Sequence, residues 1–185
     1  MSNTEDAPPM TAVKLVSGDP GRHSDAILAI FNEAIANSTA LYDYQLRTGA
    51  DMVAWFADKT AKQHPVIVAE DEAGELLGFS SYGQWRVRPA YKYSVEHSVY
   101  VDRRSRGRGV GRLLLEAIVA AAQRQGYHVL VGGIDAANTA SIKLHESLGF
   151  THCGTVKQAG FKFGRWLDLA LYQRILSTPS DPVDG

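Results

Sequence analysis

An acidic residue lies within an apolar, strand-like segment, and a loop rich in glycine and arginine follows that segment. Glu96 is flanked by mostly apolar residues between positions 94 and 101, where a carboxylate is unusual. Gly107, Gly109 and Gly111 then leave the backbone bare just before a helical pattern begins. Successive backbone N–H groups in such a loop can bind one anion, helped by the positive end of the helix. This spacing predicts an enzyme that holds a phosphate-bearing cofactor beside a proton acceptor.

The glycine loop has several possible interpretations, of which the simplest is an ordinary strand–helix turn. A Walker loop is excluded, because it needs Lys and then Ser or Thr after its last glycine, whereas Arg112 and Leu113 follow here. A dinucleotide fingerprint needs an acidic residue about 20 residues further on. Asp135 lies near the end of the next predicted strand, so that interpretation stays open. The pattern Arg-x-x-Gly-x-Gly from Arg106 to Gly111 resembles the coenzyme A pyrophosphate loop of the GCN5-related N-acetyltransferases (GNAT).

The composition is that of a globular protein with one domain. The chain has 185 residues, of which 45% are hydrophobic and 21% are charged. Its formal net charge of −1 argues against a nucleic-acid partner, because such binding depends on a broad basic surface. The arginines clustered between positions 103 and 112 suit a small polyanion instead.

Several features predict a cytoplasmic protein with no membrane partner. No apolar run approaches the ~20 residues of a membrane span. The first ten residues are acidic and lack the basic-then-apolar order of a signal peptide. The single cysteine, Cys153, excludes an internal disulfide and fits a reducing compartment. We expect Cys153 to be buried as a small apolar residue, because nothing near it would lower the pKa of a thiol.

Hydrophobic periodicity predicts one α/β domain over residues 12–176, with flexible tails at 1–11 and 177–185. The sheet is mixed, with an antiparallel N-terminal half and a parallel central pair from a βαβ crossover, and about four helices flank it. The predicted elements are a strand Ala12–Ser17, a helix capped by Ser24, an ordered loop Asn37–Leu46, a helix Ala50–Lys62, strands Pro65–Glu70 and Leu76–Gln84, a connection Trp85–Tyr93, a strand from Ser94, a helix Val110–Gln125, a strand Tyr127–Ile134, a helix Asn138–Leu148, and strands Phe150–Val156 and Trp166–Leu176.

Four blocks of sequence narrow the family. They resemble the phosphinothricin and methionine sulfoximine N-acetyltransferases, a branch of the GNAT superfamily, and the resemblance extends from Val13 to Leu176. The resemblance implies the GNAT fold, a homodimer, and acetyl transfer from acetyl-CoA to the α-amino group of a glutamate- or methionine-like analogue, with herbicide or antibiotic resistance as an outcome. The blocks are Trp85–Tyr91, Val95–Val101, Leu144–Phe150 and Ala159–Asp168.

The resemblance also implies two catalytic residues. Glu96 matches the family's catalytic base, and burial in a strand would raise its pKa towards a useful range; a buried glutamate paired with an arginine is the alternative. Many GNAT enzymes carry a tyrosine in the fourth helix as the proton donor to the leaving thiolate. Here His145 occupies that place, and a histidine can donate near neutral pH. His145 as a packed helix residue stays open as the alternative.

The resemblance implies a set of contacts with acetyl-CoA. The backbone of Val99, Tyr100 and Val101 would pair with the pantetheine amides, and Asn138 would hydrogen-bond the pantetheine arm, with Ser141 as a weaker candidate. Asn138 as a helix cap is the alternative, because asparagine is a favoured cap. The pyrophosphate would be bound by Arg106, Gly107, Arg108, Gly109, Val110, Gly111 and Arg112.

The substrate implied by the resemblance carries a carboxylate. Arg88 can bind it with a forked pair of hydrogen bonds, and Tyr91 matches a pocket residue of the family. Lys162 and Trp166 belong to a block that the family uses near the pocket and the dimer contact. The alternative for Arg88 is a solvated loop arginine. Tyr42 and Tyr44 either line the pocket or cover the core.

The alternatives to acetyl transfer onto an amino acid are a metal site and two rival functions. The histidines show no metal-ligand spacing, and one cysteine cannot build a zinc cluster, so we expect no metal. An acetyltransferase for another small amine, such as an antibiotic or a polyamine, is the nearest rival among enzymes. A non-catalytic acyl-CoA-binding sensor is the rival from another class, and Glu96 in the strand argues against it.

Overall fold

Seven strands form one mixed sheet in the computed structural model, which describes residues 12–184. The strand order is β1-β2-β3-β4-β5-β7-β6, and every neighbouring pair is antiparallel except β4 and β5, which are parallel. This confirms the predicted mixed sheet and its parallel central pair. The strands are β1 (Lys14–Ser17), β2 (Val66–Glu70), β3 (Leu76–Gln84), β4 (Ser94–Val101), β5 (Val129–Asp135), β6 (Thr151–Lys162) and β7 (Arg165–Ile175).

Four helices flank the sheet: α1 (Pro20–Asn37), α2 (Gly49–Ala61), α3 (Val110–Arg124) and α4 (Thr139–Ser147). The prediction that Ser24 caps the first helix was wrong. Asp19 is the cap, and its side chain accepts a hydrogen bond from Arg22 N at 2.8 Å. Pro20 then starts the helix, because its fixed φ suits the first turn and its missing N–H would have no partner there. No helix within residues 12–184 is long and apolar enough to cross a membrane.

The two faces of the sheet bury separate clusters of side chains. Helices α1 and α2 cover one face, where Phe31 meets the Phe79 ring edge-on with centroids 5.0 Å apart. Helices α3 and α4 cover the other face, where Ile118 of α3 packs with Leu130 of β5. A sheet covered on both faces explains the nearly continuous apolar sequence of β5.

Strands β4 and β5 separate soon after they meet, and this separation creates the site. They are paired only from Ser94–Val129 to Glu96–Val131. Beyond these pairs β4 continues to Val101 and β5 to Asp135 without a shared ladder. Parallel strands need a crossover connection, here α3, which returns the chain to the start of β5. The divergence leaves one edge of β4 without a strand partner at the centre of the sheet.

The C-terminal part of the chain differs in places from the sequence expectations. Cys153 is exposed, so the prediction of a buried cysteine was wrong. It lies on the edge strand β6, where the ladder with β7 shifts register between His152 and Gly154. The segment 177–184, expected to be a flexible tail, hydrogen-bonds the rest of the protein through Thr178 Oγ1, which donates to Tyr127 O at 2.5 Å. The other expected tail, residues 1–11, lies outside the described residues.

Candidate active site

The gap between β4 and β5 opens into a cleft of about 1050 Å³. It collects most of the residues predicted from the sequence, although these come from three segments of the chain, within residues 96–101, 106–112 and 138–145. Arg88, Tyr91, Arg108, Lys162 and Trp166 do not belong to its lining. The predicted residues that line it are Glu96, Val99, Tyr100, Val101, Arg106, Gly107, Gly109, Val110, Gly111, Arg112, Asn138, Ser141 and His145.

The glycine loop has the geometry of an anion cradle. Gly107 and Gly109 have φ of 77° and 79°, a left-handed conformation that glycine adopts without strain. A Cβ atom on either residue would meet no atom within 4 Å, so both backbones face open space. Gly109 caps α3 with no side-chain hydrogen bond. The first N–H groups of α3 therefore lack an intrahelical acceptor and are available to a phosphate.

Two arginines stand at the rim of this cradle with exposed, weak partners. Arg106 Nη2 lies 3.1 Å from Glu33 Oε2, and Arg112 Nη2 donates to Ser147 Oγ at 2.7 Å. Both side chains are about half exposed. Exposed ion pairs contribute little to stability, so these guanidinium groups can turn towards a bound anion at small cost.

Glu96 lies at the point where β4 and β5 part. Burial raises the pKa of its carboxyl group above the ordinary value, and the Arg86 guanidinium partly opposes this effect. A Cβ atom on Gly133 would come within 3.1 Å of Glu96 Oε1, so the glycine leaves room for the carboxylate. A half-buried carboxylate with a raised pKa is suited to accept a proton near neutral pH.

Sequence reasoning selected Arg88 and overlooked Arg86, two residues earlier in the same connection. Arg88 is exposed at the start of a short 3-10 turn, Pro89–Tyr91. Arg86 follows the end of β3, whose last pair, Gln84 with Val95, lies beside Glu96. The strand that ends at Gln84 was the available signal, because its register with β4 sets Gly83 opposite Glu96 and Arg86 follows three residues later.

A pair of buried histidines forms part of the cleft wall. His97 Nε2 and His145 Nε2 are 3.2 Å apart, and His145 Nδ1 lies 2.7 Å from the carbonyl oxygen of Ser141. Burial lowers the pKa of both imidazoles, that of His97 to about 3. The sequence pointed to His145 but not to His97, because alternation along a strand would have turned His97 away from Glu96.

Asn138 caps α4, as one of the two interpretations predicted. Its Oδ1 atom accepts a hydrogen bond from Ser141 N at 3.1 Å. Asn138 and Ser141 both line the cleft. The amide N–H groups of Asn138 are donors, so capping does not prevent a contact with a ligand.

The loop after α1 supplies a second set of cleft residues that the sequence did not fully reveal. Thr39 Oγ1 donates a hydrogen bond to the buried carboxylate of Asp135, and Arg165 Nη2 lies 4.0 Å from the same carboxylate. Tyr42 lines the cleft, whereas Tyr44 is 72% exposed and donates to Phe161 O. These contacts join residues far apart in sequence, which left no local signal. The Asp135 carboxylate thus has partners within the protein, Thr39 and Arg165.

Lys162 lies behind this loop rather than in the cleft. Its side chain is buried, and Nζ donates to Ser38 O at 2.8 Å and to Leu41 O at 2.7 Å. Burial lowers its pKa, while Asp43 opposes that effect. Trp166 is 59% exposed and packs edge-on against Phe161, with ring centroids 5.1 Å apart. Lys162 therefore holds the backbone on either side of Thr39 and Ala40, in the loop that also carries Tyr42.

No group of three or more His, Cys, Asp or Glu side chains within residues 12–184 is arranged to hold a metal ion.

The chain is similar in sequence and in fold to known proteins. Residues 29–150 match the model of the Acetyltransferase (GNAT) family. The chain is 47% identical to an L-methionine sulfoximine/L-methionine sulfone acetyltransferase of Pseudomonas aeruginosa. The alignment spans 147 residues, which are 80% of this chain and 86% of the relative. An N-acetyltransferase of Staphylococcus aureus superposes with a TM-score of 0.87 at 43% identity, over 89% of this chain and 99% of that one. A phosphinothricin acetyltransferase of Sinorhizobium meliloti, solved with acetyl-CoA, superposes with a TM-score of 0.87 at 33% identity, over 92% of each chain.

Proposed function

Since the chain belongs to the GNAT family of acetyltransferases, we propose that it transfers the acetyl group of acetyl-CoA to the α-amino group of a glutamate- or methionine-like amino acid. Methionine sulfoximine, methionine sulfone and phosphinothricin are the substrates we put forward, because proteins with those names are similar to this chain. The observation that carries the proposal is that one cleft joins the Glu96 carboxylate to the glycine cradle.

The cofactor end of the cleft suits a long molecule with amides at one end and a pyrophosphate at the other. The edge of β4 at Val99, Tyr100 and Val101 has no partner strand in β5, so its backbone can pair with the pantetheine amides. The loop from Arg106 to Arg112 is the pyrophosphate site. Asn138, through its amide N–H groups, holds the pantetheine arm, and Ser141 is the weaker contact.

Glu96 is the proposed general base. An α-amino group has a pKa of about 7.7–8.0 and attacks a thioester only as the neutral amine. Glu96 accepts the proton that this amine gives up, directly or through one water molecule. Its raised pKa improves proton transfer, because a base works best when its pKa lies near the working pH.

The carboxylate of the substrate requires a cationic partner near the amine. Arg88, with Tyr91, is the partner predicted from the sequence, and Arg86 is added here because its charge acts on Glu96. Arg88→Ala and Arg86→Ala are a matched pair in one connection. The arginine whose loss raises KM for an amino acid, but not for the same amine without a carboxylate, is the binding residue. If neither variant raises that KM, the carboxylate is bound elsewhere.

We further propose a homodimer that uses the exposed apolar surface of the β6–β7 hairpin. Phe161, Phe163 and Trp166 are each about half exposed there, and contiguous exposed apolar surface is typical of protein interfaces. Light scattering should give a mass near twice 20.2 kDa, and Trp166→Glu should shift it towards the monomer. A monomeric native protein would exclude this proposal.

The exposed Cys153 thiol supports a reducing compartment such as the cytoplasm.

One assay tests the proposed function. Purified protein and acetyl-CoA are mixed with phosphinothricin, methionine sulfoximine, methionine sulfone, ordinary amino acids, an aminoglycoside and a polyamine, and thiol release is measured. We expect the highest kcat/KM with the methionine or glutamate analogues, and expression of the protein should protect sensitive cells from them. Preference for an amine without a carboxylate would support the rival acetyltransferase, and acetyl-CoA binding without turnover would support a sensor.

A further inference from the structure

The buried histidine pair of the cleft wall has no part in the proposed proton transfer to Glu96. We propose that His97 is a positioning residue that holds His145 as the neutral tautomer protonated on Nδ1. His145 Nε2 is then a hydrogen-bond acceptor and gives no proton to the leaving thiolate. This inference deepens the proposed acetyl transfer and rests on it for its mechanistic meaning, although the tautomer itself can be measured without any substrate.

The first step concerns His145 Nδ1. This atom lies 2.7 Å from the carbonyl oxygen of Ser141, which can only accept a hydrogen bond. The Ser141 hydroxyl is more distant, at 3.4 Å. Nδ1 must therefore carry the proton, and a neutral imidazole has only one. His145 Nε2 is left as a lone-pair acceptor.

The second step concerns the contact between the two rings. The Nε2 atoms are 3.2 Å apart, so one proton lies between them. Because the single proton of neutral His145 is on Nδ1, the proton between the two Nε2 atoms is bonded to His97 Nε2, which donates it to His145 Nε2. The neutral His97 then has a bare Nδ1, which is buried and has no hydrogen-bond partner among the described residues. Protonating it would create a buried donor without an acceptor, which is unfavourable because the group loses its hydrogen bond to water.

The third step concerns the packing that fixes both rings. A Cβ atom on Gly132 of β5 would come within 2.9 Å of His97 Cε1, so this glycine makes room for the pair where β4 and β5 part. The Phe150 ring packs against both imidazoles, with centroids 5.2 Å from His97 and 5.1 Å from His145. The pair thus occupies an apolar site that disfavours a charged imidazole, in agreement with the lowered pKa values.

The titratable groups on the surrounding elements bond elsewhere. Tyr82 lies opposite His97 in β3, and its hydroxyl donates to Gln125 Oε1 at 2.6 Å. Tyr172 of β7 lies opposite Gly132, and its hydroxyl donates to Glu146 Oε1 at 3.2 Å. Glu96 precedes His97 in β4. Within residues 12–184, neither ring has a carboxylate as a hydrogen-bond partner. The carbonyl oxygen of Ser141 opposes the effect of burial on His145, but burial is the larger effect and the pKa of His145 stays lowered.

The acetyl transfer balances without a proton from His145. The C–N bond forms, the C–S bond breaks, and the thiolate leaves with the electron pair of that bond. The proton lost by the attacking amine goes to Glu96. A thiolate is a competent leaving group near neutral pH, because ordinary thiols ionise with a pKa of about 8.5.

The decisive experiment uses the native protein without ligands. Proton–nitrogen NMR correlation spectra of the imidazole rings identify the tautomers, and the signals of His145 are assigned by their loss in His145→Gln. We expect His145 to show a protonated Nδ1 and a bare Nε2, unchanged from about pH 6 to about pH 9. A protonated His145 Nε2, or a titration of His145 within this range, would overturn the proposal.

Kinetics give a second test with a matched pair of variants. His97→Gln keeps an amide donor for His145, whereas His97→Leu removes it, and thermal melting checks that both remain folded. Both histidines line the cleft next to Glu96, so a His145 ring that has lost its donor can move and disturb the position of the reactants. For this reason we expect His97→Leu to lower kcat by about three- to tenfold and His97→Gln to recover most of that loss, the range expected for one hydrogen bond. Equal kcat values in the two variants would contradict the positioning role.

The pH profile separates this inference from the proposed function. We expect that any fall in kcat at alkaline pH is the same in the native protein and in His145→Gln. A fall that is present in the native protein and absent in the variant would restore His145 as the proton donor. If no amine in the panel is acetylated, the proposed function fails, while the NMR result on the tautomer still stands on its own.

Discussion

The two ends of the cleft are built in different ways. The proposed cofactor end is made of main chain, namely the open edge of β4 and the loop at Gly107 and Gly109, which are contiguous within one strand–loop–helix unit. The other end, which we propose binds the acceptor amine and which we call the acceptor end, is made of side chains: Glu96, Tyr42 and Arg165, from distant parts of the chain. A backbone site serves any substrate of the family, because it recognises only the shared cofactor. A side-chain site can change with the acceptor while the fold stays the same.

The largest effect should come from the side-chain end. Glu96→Gln keeps the size of the side chain and removes its basicity, so we expect kcat to fall about 10²- to 10⁴-fold, the usual contribution of a general base. The Kd for acetyl-CoA, measured by calorimetry, should stay the same, because the cradle is elsewhere in the cleft. Full activity at neutral pH in this variant would exclude Glu96 from the mechanism.

The backbone end can be tested with a matched pair of glycines. Gly109→Ala and Gly126→Ala place alanine at φ of 79° and 78°, at the start and after the end of α3. Each should destabilise the protein by about 1–2 kcal/mol. Only Gly109→Ala should weaken acetyl-CoA binding, by about tenfold, because its new methyl group enters the space of the phosphate. Equal affinity in both variants would place the pyrophosphate away from this loop.

A smaller effect should follow from loosening the loop at the acceptor end. Lys162→Met keeps the length of the side chain but leaves the carbonyls of Ser38 and Leu41 without their donor. Removing such buried partners costs about 1–3 kcal/mol. We expect a several-fold rise in KM for the amine and an unchanged Kd for acetyl-CoA. Lys157→Met, which breaks only an exposed pair with Asp168, is the control and should leave both constants unchanged.

The smallest effect is a displacement of the acid limb of the pH–rate profile. A base must be deprotonated to act, so kcat/KM should fall as the pH drops through the raised pKa of Glu96. Arg86 lowers that pKa, so Arg86→Ala should raise it further and move the limb to higher pH. The limb should be absent in Glu96→Gln. A limb that persists in that variant belongs to another group.

The same contrast explains what the sequence could predict. The glycine loop, the parallel pair and the strand at Leu76–Gln84 follow from local periodicity and spacing, and the structure has them there. The start of α1 was predicted at Ser24 because glycine and proline before it are typical of a turn, although Asp19 caps the helix and Pro20 starts it.

The acceptor end could not be predicted in the same way. Thr39 meets Asp135 and Lys162 meets Ser38 only after the sheet is assembled, so no short pattern records these contacts. His97 escaped notice for a related reason. Alternation assigns it to the opposite face from Glu96, but both line the cleft because β4 has lost its neighbour there.

The short ladder between β4 and β5 has a mechanical consequence. These three residue pairs are the strand pairing that joins one half of the sheet, β1–β4, to the other half, β5–β7. A long ligand bound between β4 and β5 would add contacts across the gap beyond these pairs. A ligand that binds only the folded state also raises the stability of that state by mass action. Acetyl-CoA should therefore raise the melting temperature and slow amide hydrogen exchange most at residues 97–101. The co-substrate would then take the place of the strand partner that β4 lacks at the centre of the sheet.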